Sequence, residues 1–165
     1  MSNSWKTRVG TAADEQIARE ITLHAFGRQY EVDYWDGIRA DPVASLPGQL
    51  YVATHDEQPV GYALLTRCFV GAVPVLSLGP VAVLPEYQGR GAGDAAVRAA
   101  LAGGQAQGER AVVVLGHAEY YPRFGFRPAT EFGVRHPKYD GPSLMALALS
   151  AEPVPAGPLS YPYDG

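Results

Sequence analysis

The sequence predicts a mixed α/β (α+β) domain: a mostly antiparallel sheet, flanking helices, and one parallel βαβ unit at its centre. Three observations carry this. Strand-like runs of Val, Leu and aromatic residues alternate with stretches of helical period. Most of those runs are joined by short turns, which makes the strands antiparallel neighbours. One pair, 73–84 and 111–115, is separated instead by an Ala-rich helical stretch, the arrangement of a parallel crossover.

Each element has its own signal. Trp5 to Gly10 reads as a first strand. Thr11 is an N-cap candidate with Asp14 three residues on, and Ala13, Ile17 and Ile21 then repeat at helical spacing to about Phe26. Residues 30–40 form a second, shorter helix that Asp41-Pro42 closes, because a residue before proline is pushed out of the helical region. Gln49–Thr54 and Val60–Val70 are strands around the turn residues 55–59. Gly71 leads into a long strand, Val73 to Leu84. Gly89 to Leu101 is helical and is expected to stop at Gly103-Gly104. Ala111–Leu115, wholly apolar, reads as a strand buried on both faces. A short helical piece at 119–124 and a strand over Ser143–Ser150 follow. The Pro-rich tail, 151–165, with Tyr161 and Tyr163, adds an edge strand or packs as a loop.

Composition bounds the function. The 165 residues have the size of a single domain, 1–165, and a chain this long buries roughly 70% of its unfolded surface without a disulfide or metal. Charged residues make up 18%, too few for a charge-driven disordered chain, and apolar residues 47%. Net charge is −4 and Lys and Arg form no run, so no nucleic acid partner is expected. The single cysteine, Cys68, excludes an intrachain disulfide and a Cys-x-x-Cys zinc site, and no metal is expected. Charges scattered through the first 20 residues leave no signal-peptide core. Cys68 to Pro85 carries no charge, but Gly71, Pro74, Gly79 and Pro80 punctuate it as they would not a membrane helix. The expectation is a cytoplasmic protein with no membrane partner.

The chemistry concentrates in Leu78–Gly93. A buried strand runs into a turn with glycines at Gly89, Gly91 and Gly93, and the turn opens a helix. Glycines let a backbone approach an anion, a helix start aims unpaired N–H groups at it, and Arg90 adds a guanidinium that forks onto phosphate oxygens. A pyrophosphate cradle follows from this, though a plain connecting turn has the same glycines. Other phosphate motifs fail by their parts. There is no Gly-Lys-Ser/Thr of a P-loop, and Asp94 stands where a dinucleotide fingerprint needs its third glycine. His117-x-Glu119 lacks the cysteines of a zinc deaminase, and no His-Glu-x-x-His or Gly-x-Ser-x-Gly occurs. His24, His55 and His136 are scattered.

Gln88-x-x-Gly91-x-Gly93, reached from Val81-Ala82-Val83, resembles the acetyl-CoA signature (Gln/Arg-x-x-Gly-x-Gly/Ala) of the GNAT superfamily of N-acetyltransferases. Tyr121, Gly125 and Phe126 supply the Tyr-x-x-x-Gly-Phe that the superfamily often carries downstream. The order of elements is similar too, over nearly the whole chain. The resemblance implies a sheet whose two central parallel strands splay apart, with the pantetheine arm of acetyl-CoA lying in the opening. There Pro80, which has no N–H for a ladder, costs nothing. It implies that Val81, Ala82 and Val83, together with Gln88, Gly89, Arg90, Gly91, Ala92, Gly93 and Asp94, bind acetyl-CoA. An N–H of Ala82 or Val83 would stabilise the oxyanion, and Tyr121 would be the acid that protonates the leaving thiolate. The implied reaction moves an acetyl group to a primary amine by direct attack in a ternary complex. Small-molecule and peptide amines both remain open as acceptors, and so do a monomer and a homodimer. For the base, His117, Glu119, Glu31, Asp33 and a water chain stay open. The cluster Tyr30, Asp33, Tyr34, Trp35 and Asp36 is a candidate acceptor lining, and core packing accounts for its aromatics equally well. The rival reading is a catalytically idle acyl-CoA-binding or sensing module.

Overall fold

In the computed structural model, which describes residues 5–164, strand β1 (Lys6–Val9) enters helix α1 (Ala12–Phe26) through a capping box. The Thr11 side chain accepts from the Asp14 amide, and the Asp14 carboxylate accepts from the Thr11 amide at 2.8 Å. Helix α2 (Gln29–Ala40) ends where Asp41 turns the chain, its Oδ1 accepting from the amides of Val43 and Ala44 at 2.9 Å each. Residues 1–4 and 165, the two ends of the predicted domain, lie outside the described residues.

Strands β2 (Leu50–His55) and β3 (Gln58–Val70) form the predicted hairpin with a tighter turn than 55–59: only Asp56 and Glu57 connect them, both at positive φ. After β4 (Val73–Val83) and a short 3₁₀ turn comes α3 (Ala92–Ala106), then β5 (Ala111–Leu115) and a 3₁₀ turn at Tyr121–Phe124. The short strands β6 (Arg127–Pro128) and β7 (Val134–Arg135), then β8 (Leu144–Ala148) and β9 (Gly157–Ser160), complete the chain. The main sheet runs β1-β2-β3-β4-β5-β8-β6, antiparallel except for β4 against β5. The tail takes the edge-strand alternative: β9 pairs with the end of β3 at Phe69 and Val70, and runs parallel to β7.

Two expectations about α3 need correction. The helix begins at Ala92, with Gly91 as its cap, and the turn from Gly89 precedes it. It also continues through Gly103-Gly104 to Ala106. A Cβ at Gly103 would lie 2.0 Å from the Tyr51 hydroxyl oxygen and 2.4 Å from its Cζ. One at Gly104 would meet methyls of Leu76 and Leu149 at 3.0 and 3.1 Å. These glycines let the helix sit close on the sheet; the stop comes at Gln107-Gly108, where Gly108 has φ 77°.

Alternation along the strands sorts the core onto the two sheet faces. Tyr51, Ala53, Ala63 and Leu65 pack under α3 with Ala96, Val97 and Ala100, whereas Leu50, Val52, Tyr62 and Leu64 pack under α1 and α2 with Ile21, Trp35 and Ile38. Beyond the helices that second face is covered by 129–134 and the tail, which seal Cys68 beneath Val154, Leu159 and Tyr161. Cys68 is fully buried, and burial pushes its thiol up to about 12. Among the described residues, no helix is long and apolar enough to cross a membrane, and no group of three or more His, Cys, Asp or Glu is placed to hold a metal ion.

Candidate active site

The site begins where β4 leaves its parallel partner. Leu76, Ser77 and Leu78 pair with Val112, Val113 and Val114, and there the β4–β5 ladder ends. On its other side β4 stays paired with β3 as far as Val83. Leu78 opposes Leu65 and Val81 opposes Ala63, so Gly79 and Pro80 together face Leu64 alone, a bulge. The bulge switches the alternation: Leu76 and Leu78 face α3 before it, and Val81 and Val83 after it. Pro80 sits where no ladder N–H is required.

Backbone parity then decides which groups line the opening. The Leu84 amide donates to the Val60 carbonyl (2.8 Å), so Ala82–Tyr62 is a hydrogen-bonded pair and Val83–Gly61 and Val81–Ala63 are not. The N–H and C=O of Ala82 are therefore spent on β3, and those of Val81 and Val83 point into the gap toward β5. Gln88 closes the far end, its Nε2 donating to the Val83 carbonyl at 2.9 Å.

The glycine turn follows at once. Gly89 and Gly91 have φ of 75° and 97°, conformations that disfavour side chains, and nothing lies within 4 Å of a Cβ built at Gly89. Gly91 caps α3 with no side-chain hydrogen bond, so the first amides of the helix, from Ala92, Gly93 and Asp94, have no carbonyl one turn back. Trp5 braces this turn from β1's end, its indole N–H donating to the Arg90 carbonyl at 2.9 Å. The Arg90 guanidinium is exposed and lies 5.7 Å from the Tyr87 ring. Asp94 is tied back: Tyr120 donates to it at 2.5 Å, and Arg123 stands 3.5 Å away.

Tyr121 lies in the core cluster with Leu78, Val114 and Phe126, its side chain held edge-on by Tyr120 and Phe126 at 5.0 and 5.8 Å. Gly116 makes room for the ring, since a Cβ there would lie 2.5 Å from Tyr121 Cε2. Burial pushes the Tyr121 phenol up to about 12, so it holds its proton at neutral pH.

At the other end of the gap is a cavity of about 600 Å³. Its floor is Ser77, Leu78, Gly79 and Pro80 with Leu115, and its walls come from the α1–α2 corner, Tyr139 and the tail. Of the residues singled out beforehand, Tyr30, Glu31 and Tyr34 line it. Trp35 is instead core, edge-on to Tyr62 at 5.1 Å. Asp33 accepts from Gln29, and Asp36 pairs with Arg19. His117 and Glu119 are exposed and do not line the cavity. Sequence reasoning missed Tyr139, Tyr161 and Tyr163 as a wall; the paired tail tyrosines were visible, but not what they would face. A second cavity, of about 430 Å³, holds His24 with Glu20 and Glu86 between α1 and the end of β4.

Comparison with known proteins gives consistent results. The family model for the acetyltransferase (GNAT) domain matches residues 47–128, about half of the chain. A curated relative described as an uncharacterized N-acetyltransferase, YjhQ of Escherichia coli (strain K12), is 38% identical over 120 residues, 70% of this chain. The matched stretch covers 66% of that relative's length. Among solved structures, the GNAT family N-acetyltransferase YhbS from Escherichia coli, in complex with CoA, has a TM-score of 0.82 at 25% identity, covering 95% of this chain and 89% of its own. A GNAT family acetyltransferase from Brucella melitensis, in complex with acetyl-CoA, has a TM-score of 0.77 at 29% identity, covering 96% of each chain.

Proposed function

Because the chain belongs to the GNAT acetyltransferase family, we propose that it transfers an acetyl group from acetyl-CoA to a primary amine, by direct attack within a ternary complex. The observation that carries this is the order of features along β4. The cavity floor at 77–80 comes first, then the main-chain groups of Val81 and Val83 that β3 leaves unpaired beside the β4–β5 gap, then the glycine-opened start of α3. A long cosubstrate laid along that line has its diphosphate at Gly89–Gly93 and Arg90, its amide-bearing arm at Val83, and its thioester at Val81, next to the cavity.

The roles follow from position. Helix amides and the Arg90 guanidinium bind phosphate oxygens. The Val81 N–H, aimed into the gap, takes the part of oxyanion donor in preference to that of Ala82, which is engaged with β3. The acceptor arrives as an ammonium and must first lose a proton. Of the candidate bases Glu31 is the one lining the cavity, and it passes that proton to solvent. The amine nitrogen then bonds to the thioester carbon and gives up its second proton to solvent by way of Glu31; the carbonyl re-forms as the C–S bond breaks, and Tyr121 donates its phenol proton to the departing sulfur and recovers one from solvent. We treat residues 1–165 as one such domain.

An idle acyl-CoA-binding module has no use for an acceptor cavity at the thioester end, which favours the enzyme. The test is thermal unfolding with acetyl-CoA, followed by thiol release with a panel of amines. At 100 times the dissociation constant the ligand adds about 2.7 kcal/mol, a rise of several degrees. No shift at millimolar acetyl-CoA would remove the proposal, and a shift with no turnover on any amine would favour the idle module.

A further inference from the structure

We propose that the acceptor is a primary monoamine carried on a flat apolar body and free of anionic groups, its ammonium held by Glu31 and by the faces of the tyrosines around it. This rests on the transferase reading above and names its substrate class.

Charge is the first argument. Among the described residues, Glu31 is the one charged residue lining the cavity, and no Lys or Arg lines it. The Glu31 carboxylate is gripped from outside: Arg28 Nε and Nη2 donate to Oε1 and Oε2 at 2.9 and 2.8 Å. The Arg28 side chain is 68% exposed and that of Glu31 17%, so the guanidinium stays in solvent and the carboxylate is presented inward. Each carboxylate oxygen keeps a second lone pair for an ammonium N–H. Because Arg28 already offsets part of that negative charge, Glu31 positions the ammonium more than it attracts it.

The walls supply the rest. Tyr30, Tyr34, Tyr139, Tyr161 and Tyr163 all line the cavity. Three of them form a connected wall: Tyr34 and Tyr163 meet edge to face at 5.8 Å, with hydroxyls 3.1 Å apart, and Tyr163 stacks on Tyr161 at 5.4 Å. Ring faces carry negative quadrupole potential, which favours a cation and also stacks against a flat apolar group. A carboxylate on the acceptor would meet those faces and Glu31 with no cation in the lining to pair with it. A second ammonium would find no second carboxylate among the described lining residues. The volume, about 600 Å³, suits a small organic molecule, for which pockets run roughly 300–1,000 Å³.

The probes are phenethylamine and phenylalanine, which differ by one carboxylate. On the unaltered chain with saturating acetyl-CoA, kcat/KM for phenethylamine should exceed that for phenylalanine by on the order of 100-fold, since unpaired like charge costs several kcal/mol. Calorimetric titration of each amine, with and without CoA, should show the same preference in binding. Glu31→Gln should weaken phenethylamine binding about tenfold while the melting shift with acetyl-CoA is unchanged, which also shows that the variant folds. Equal use or binding of phenylalanine, no binding of phenethylamine, or full affinity in Glu31→Gln overturns the inference. Absence of an acetyl-CoA shift overturns the transferase reading instead, and the calorimetry judges the cavity either way.

Discussion

The Tyr121 hydroxyl and the Tyr121 ring have separable jobs. The ring fills the space that Gly116 leaves and packs on Phe126; the hydroxyl, kept protonated by burial, is the proton source we propose for the sulfur. A thiol with an ordinary pKa of about 8.5 is a fair leaving group unaided, so the acid's help belongs at the low end of general-acid effects. Tyr121→Phe should lower kcat on the order of 10- to 100-fold and leave the KM for acetyl-CoA nearly unchanged; unaltered kcat would reduce Tyr121 to packing. Asp14 shows a different use of a buried group. Burial alone would raise its pKa, but hydrogen bonds from Arg8 and from the Thr11 amide outweigh that and hold it below the ordinary value. Its stabilising contribution is therefore complete above about pH 4, the unfolded value, and fades as pH falls through the lower folded one. Asp14→Asn should be less stable than the parent chain in urea at pH 7, with the difference shrinking at pH 3. An equal difference at both would show that the charge is irrelevant.

Helix α3 shows how a local signal was read correctly and given the wrong meaning. Gly103-Gly104 looks like a stop because glycine commonly follows a helix end, yet both lie inside the helix, where the sheet comes too close for side chains. Only the partner surface, drawn from Tyr51, Leu76 and Leu149, reveals this, and no window of sequence contains it. In an open helix Gly→Ala stabilises by about 1 kcal/mol. Gly103→Ala should instead destabilise by about 1–3 kcal/mol, because the rigid Tyr51 ring must move and its hydrogen bond to Gln49 breaks. Gly104→Ala should cost much less, since it meets only Leu methyls that turn aside. Chemical denaturation of the two variants checks the contrast, and equal losses would contradict the close approach at Gly103. The strand β4 and the turn to Gly93 were legible because bulge, glycine turn and helix start are contiguous. The bulge itself was signalled by a proline in a central strand.

At the scale of the molecule, what escaped the sequence is what the tail assembles. The cavity takes residues from the α1–α2 corner, from β4, from the loop at Tyr139 and from Tyr161 and Tyr163 beyond β9. Two-residue strands such as β6 and β7 have no period to read, and although the tail was a candidate edge strand, nothing along the chain announced that β3 would be its partner. The same return closes over Cys68, the chain's single cysteine. That seal gives the protein an internal clock. A thiol fully out of solvent and with its pKa pushed up to about 12 should be silent toward a disulfide reagent, so thiol release by turnover is read against no background from the enzyme. With denaturant the same sulfur should react once per chain. In buffer its labelling should be slower than in the unfolded chain by about a thousandfold or more, the factor an ordinary folding stability implies. Labelling at the unfolded rate in buffer would mean that the tail does not stay shut. Otherwise the labelling rate times how often the lid over Cys68 lifts, with no added probe.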